Sequence, residues 1–123
     1  MNENDPIYLD HNATTPLLPE VADAMLPYLR EHFGNPSSGH VYGTRARNSL
    51  VRARQQVAEL LGCDDEEVVF TSGGTEANNL AIRGVTEARQ GRSHVVTTLI
   101  EHPATERPCA WLQRHGSKIT RVG

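Results

Sequence analysis

Cysteine is scarce: Cys63 and Cys109 are the only two in 123 residues. Two thiols do not make a disulfide framework, so the expectation is a reducing, cytoplasmic setting. Long apolar runs are missing as well. No segment approaches the ~20 apolar residues that a membrane span requires. The opening MNENDP has neither the basic start nor the apolar centre of a secretory signal. There is no excess of positive charge either, since 12 Lys and Arg against 15 Asp and Glu leave −3. Neither nucleic acid nor a membrane is therefore expected as a partner. GxGxxG and GxxxxGK[ST] do not occur, nor does any internal repeat. What remains is apolar content sufficient for the core of one ordinary domain.

Along the chain, IYL at 7–9 reads as a short strand and DHNATTPLLP as an irregular arm after it. Val21, Ala22, Met25, Leu29 and Phe33 recur at helical spacing and predict a helix over 19–32, with Pro19 in its first turn and Pro27 as an internal kink. GNPSSGHVYG, 34–43, is a loop of turn formers. Ala46, Leu50, Ala53, Val57 and Leu60 form a stripe on a helix over 44–61, stopped by Gly62. Its arginines, Arg45, Arg47, Arg52 and Arg54, read as a solvated face. Beyond it the pattern alternates: EVVFTS a strand, 75–89 a helix, HVVTTLI a strand, 103–115 a helix, SKITRV a strand. Pro108 delays the ordered start of the last helix toward itself. Strand–helix alternation implies an α/β sheet of parallel strands with crossover helices. Three such strands leave sheet faces uncovered, so the chain looks cut rather than finished. The expected division is an arm and short strand over 1–18, then an incomplete large domain over 19–123.

The chemistry concentrates in VVFTSGGTEANNLAI, 68–82. A strand running into two glycines and then a helix places unpaired amides at the carboxyl edge of a sheet, where phosphate binds well. Gly73, Gly74 and Thr75 can cradle an anion; equally, Ser72 or Thr75 can simply cap the helix. His102, at the end of TTLIEHPAT, leaves the next strand on the same edge, so two polar features converge on one crevice. Its imidazole can stack on an aromatic ligand, move protons near neutral pH, or be merely structural.

YLDHNATTPLLPEV, FGNPSSGHVYG, VVFTSGGTEANNLAI and IEHPA stand in the order and spacing of the cysteine desulfurases, which the chain resembles from Ile7 onward. These are pyridoxal-phosphate enzymes of the class V aminotransferase group. The resemblance implies the amino-terminal part of a fold-type I large domain. By the same resemblance, Gly74 and Thr75 hold the phosphate of pyridoxal 5'-phosphate, and His102 stacks on its ring and assists proton transfer. Asn12 and Ala13 in the arm, and Asn35 and His40 in the loop, fall near the substrate mouth, although Asn12 and Asn35 also suit ordinary turns and His40 an exposed loop. The activity implied is removal of sulfur from L-cysteine, giving L-alanine and an enzyme persulfide for iron–sulfur assembly or tRNA thiolation, by a homodimer that serves a sulfur-acceptor protein.

The family's Schiff-base lysine and nucleophilic cysteine belong to later motifs, which Lys118, Cys63 and Cys109 do not match. These 123 residues alone are therefore expected to be inactive. Other readings are a selenocysteine lyase or class V aminotransferase, a non-catalytic truncated product, and a phosphate-binding module for another ligand. Gly74 stands where alanine is common in the family. Thr105 and Glu106 replace positions usually apolar and are expected to loosen the packing of the last helix.

Overall fold

The computed structural model describes residues 6–89 and 94–123, so residues 1–5 of the expected arm lie outside it. The chain falls into two compact units that divide between Val68 and Val69.

In the first unit the arm folds on itself. The hydroxyl of Tyr8 lies 2.8 Å from the carbonyl of Asp10 and 3.1 Å from that of Thr14. No strand forms at 7–9, where the expectation is corrected. Strands are stabilised by a neighbouring ladder, and the hydroxyl of Tyr8 instead closes a local turn over 11–13. Helix α1 spans Pro19–Arg30 with proline at its start, and it runs on through Pro27. Its apolar stripe is not buried: Leu29 is 73% exposed. Helix α2 spans Val41–Leu61 and begins three residues earlier than predicted because His40 caps it. At its end Gly62 adopts φ 68°, a left-handed conformation that glycine takes without a Cβ penalty. The buried position near that end is Ala58, whereas Leu60 of the predicted stripe is 84% exposed.

Two of the α2 arginines are not merely solvated. Arg47 reaches the carbonyl of Pro36 at 3.4 Å. Arg54 is half-buried and donates to the carbonyl of Val68.

The second unit carries helix α3, Gly74–Ala88, strand β1, His94–Thr98, helix α4, Pro103–Arg114, and strand β2, Lys118–Val122. The strands are parallel, with His94 opposite Lys118 and Thr98 opposite Val122, and α4 is the crossover between them. This is the α/β arrangement the alternation predicts. Among the described residues two strands form the sheet rather than three: residues 68–71 are not in a ladder, and Asp65–Glu67 forms a 3-10 turn. The β-branched run there has the composition of a strand, but a strand also needs a ladder partner, and no ladder forms at these residues.

Pro108 does not delay α4, which is helical from Pro103. Ala104, Pro108, Cys109 and Leu112 form its buried face, and their burial offsets the hydrogen bond Pro108 cannot donate. Cys109 is fully buried, at 0% exposure.

Candidate functional site

The starts of α3 and α4 are brought together by two contacts between these helices. Near the starts, the Asn78 side-chain amide donates to the Thr105 hydroxyl across 3.4 Å. Farther along, the Arg83 guanidinium lies over the Trp111 ring, 3.9 Å from its centroid. Contact pairs that advance together along both helices make them run side by side in the same direction. Their first turns, carrying Gly74 and Thr75 on one and His102 on the other, therefore lie at one edge of the unit. The two starts share that edge through helix–helix contacts and not through a neighbouring strand, since residues 68–71 are in no ladder.

Thr105 and Glu106 do not loosen α4. Thr105 supplies the acceptor just described, and the Glu106 carboxylate grips the Arg121 guanidinium of β2 through Nε at 3.0 and 3.1 Å and Nη2 at 2.7 Å. That bidentate partner holds the Glu106 carboxyl below its usual range, despite some opposition from burial. A polar residue at each position is accommodated because its partner lies within the same unit.

At the start of α3 the cap is Gly73, which has no side chain to offer. Neither Ser72 nor Thr75 caps the helix. Ser72 instead gives both its amide and its hydroxyl to one oxygen of Glu76, each at 2.6 Å. The hydroxyl, then the amide, lower the Glu76 carboxyl below its usual range. The first helical bond runs from the Ala77 amide to the Gly73 carbonyl at 3.1 Å. The amides of Gly74, Thr75 and Glu76 have no backbone acceptor among the described residues, as the first turn of a helix requires. A Cβ built on Gly73 or Gly74 would meet no atom within 4 Å, so packing does not dictate glycine there. Open space over unpaired amides fits a phosphate group.

His102 is exposed and caps α4: its Nδ1 accepts from the Ala104 amide at 3.0 Å. That role was not legible in the sequence, although a histidine directly before Pro103 was a usable signal.

The candidates of the first unit sit in tight turns. The Ala13 amide donates to the Asp10 carbonyl at 3.1 Å, with Asn12 inside the same turn. Asn35 Oδ1 accepts from the Ser37 amide at 2.9 Å, the side-chain turn that asparagine favours. His40 caps α2 as His102 caps α4, with Nδ1 3.3 Å from the Gly43 amide. Gly43 is required by proximity: a Cβ there would lie 2.3 Å from the Ser38 carbonyl oxygen.

Burial raises the Cys109 thiol above its usual value, and the Glu106 carboxylate adds to the effect. Such a thiol is a poor nucleophile. No group of three or more His, Cys, Asp or Glu among the described residues could hold a metal ion. No helix among them is long and apolar enough to cross a membrane.

The cysteine desulfurase IscS of Dictyoglomus turgidum is 47% identical over 115 residues, covering 93% of this chain and 29% of that relative. The cysteine desulfurase of Rattus norvegicus is 50% identical over 117 residues, 94% of this chain and 26% of the relative. The chain thus spans less than a third of the curated relatives it matches. Among solved structures, a NifS-like protein superposes with a TM-score of 0.86 at 36% identity, over 94% of this chain and 32% of the other. SspA in complex with cysteine gives 0.84 at 36% identity, over 94% and 33%. The aminotransferase class-V family matches residues 7–123. The chain belongs to that family.

Proposed function

We propose that these residues are the amino-terminal part of a pyridoxal-phosphate-dependent cysteine desulfurase, which takes sulfur from L-cysteine and leaves L-alanine and an enzyme persulfide. The observation that carries this reading is the shared edge of α3 and α4, which has free amides at the start of one helix and an exposed histidine at the start of the other. The relatives named cysteine desulfurase and the neighbour solved with cysteine point the same way.

Pyridoxal phosphate, when bound, supplies an electron sink for charge developing at the substrate α-carbon. The chain's own contribution is binding and orientation. The amides of Gly74 and Thr75 and the Thr75 hydroxyl donate to the phosphate, helped by the positive end of α3. Ser72 engages the Glu76 carboxylate through its amide and hydroxyl. The His102 ring covers the cofactor's aromatic face. Asn12, Ala13, Asn35 and His40 are the residues proposed to meet the substrate. The full-length enzyme works in the cytoplasm as a homodimer and passes its sulfur to an acceptor protein. The 123 residues alone release no alanine from L-cysteine.

Calorimetric titration of the chain with pyridoxal phosphate, pyridoxal and a simple nucleotide tests the phosphate site. The phosphorylated cofactor is expected to bind best, and Gly74→Asp, which sets a carboxylate beside the phosphate, to weaken it by roughly tenfold or more. Equal binding of pyridoxal, or tighter binding of the nucleotide, contradicts the reading. For the full-length protein, alanine and persulfide formed from L-cysteine is the expected result. Turnover of selenocysteine alone would make it a selenocysteine lyase instead.

A further inference from the structure

We infer that the start of α4 sets which nitrogen of His102 carries the proton, and so makes this ring a fixed hydrogen-bond donor. Nδ1 of His102 lies 3.0 Å from the amide nitrogen of Ala104. A backbone N–H only donates, so Nδ1 presents its lone pair and the neutral ring holds its proton on Nε2. The His102 carbonyl is engaged too, accepting from the amides of Thr105 at 2.8 Å and Glu106 at 3.1 Å. With backbone and ring both tied to the first turn, the imidazole cannot rotate without losing its cap.

The chemical consequence is specific. A ring in this state has a donor at Nε2 and no free lone pair. It can stack, and it can donate to an acceptor atom on a bound amino acid, such as a carboxylate oxygen or a thiolate sulfur. To take a proton from that amino acid, one ring nitrogen must first offer a lone pair, and that requires Nδ1 to release the Ala104 amide. Proton uptake by His102 is thereby coupled to opening of the α4 cap, with Ala104 as the positioning residue. The inference rests on the proposed place of His102 over the cofactor and deepens it. His40 repeats the arrangement more loosely, with Nδ1 3.3 Å from the Gly43 amide.

The test is nitrogen NMR on the chain labelled with 15N-histidine, free of cofactor, at a pH where imidazole is neutral. Subtracting the spectrum of His102→Asn identifies the His102 signals. Long-range proton–nitrogen correlations are expected to show the Nε2-protonated pattern. A Nδ1-protonated pattern, or an even average of the two tautomers, overturns the inference. Ala104→Pro removes the amide donor and is expected to move His102 toward averaging. A folded Ala104→Pro chain with an unchanged pattern also overturns it. Should that variant not fold, the wild-type pattern decides alone. Failure of pyridoxal phosphate to bind leaves this spectrum untouched, so the two readings fail separately.

Discussion

Asn78, one turn into α3, donates to Thr105 in the first turn of α4 across 3.4 Å. That single polar contact aligns the two helix starts on which the candidate site depends. At this length the bond belongs at the weak end of the usual ~0.5–1.5 kcal/mol. Thr105→Val is expected to lower unfolding free energy by about 0.5–1 kcal/mol in urea. Asn78→Ala should cost a similar amount, and the double variant less than their sum. Strict additivity would mean that the pair does not couple the helices.

His102 has a duty to the fold apart from any duty to a ligand. Removing the α4 cap in His102→Ala is expected to cost about 1 kcal/mol of stability. His102→Asn retains a side-chain oxygen for the Ala104 amide and should recover most of that loss. It should not recover cofactor binding, because the flat ring is gone. Parallel urea melts and calorimetry separate the roles; equal stability of the Ala and Asn variants would refute the capping role.

Glu106 and Glu76 predict a particular acid response. Both carboxyls sit below their ordinary value of 4.5 in the folded chain, Glu106 through Arg121 and Glu76 through Ser72. Their stabilisation is thus complete above the ordinary value and is lost as pH falls through their lower folded values. Unfolding free energy should decline as pH falls below ~5, and Glu106→Gln should make that decline shallower. An identical acid limb in wild type and variant would show that the Arg121 pair carries none of it. At the basic end Arg121 adds nothing measurable, since its hydrogen bond to Glu106 pushes the guanidinium further upward.

The two thiols should differ in reactivity. Cys109 is fully buried with its thiol raised, whereas Cys63 is half-buried just past the end of α2. Under iodoacetamide, Cys63 is expected to be modified at least tenfold faster, as read by mass spectrometry of digests. Comparable rates would place Cys109 on a surface that opens readily.

Helices were far more legible than strands in this sequence. A helix makes its hydrogen bonds within its own segment, so the spacing in 44–61 and 75–89 and the stop at Gly62 nearly sufficed to place α2 and α3. The strand-like runs IYL and VVF have the right side chains but no ladder in this structure, and a ladder partner is not visible in a local pattern. Burial was hidden for a similar reason: Leu60 fits the apolar stripe of α2, but Ala58 is the residue covered there. The glycine turn at 73–74 could be read because only backbone is needed to offer amides. The pairing of Asn78 with Thr105 could not, since polar residues in first turns look like solvent-facing ones until both helices are placed. Nor could the ring orientation of His102, which a single backbone amide decides.

Trp111 is the only tryptophan in the chain. It lies between the Arg83 guanidinium, 3.9 Å from its ring, and the His115 imidazole stacked at 3.8 Å. Arg83 comes from α3, whereas Trp111 belongs to α4 and His115 follows directly after it. An indole sandwiched this way emits differently once the helices part. Its fluorescence is a built-in optical gauge, responding to separation of α3 from α4 in every experiment above without any added label.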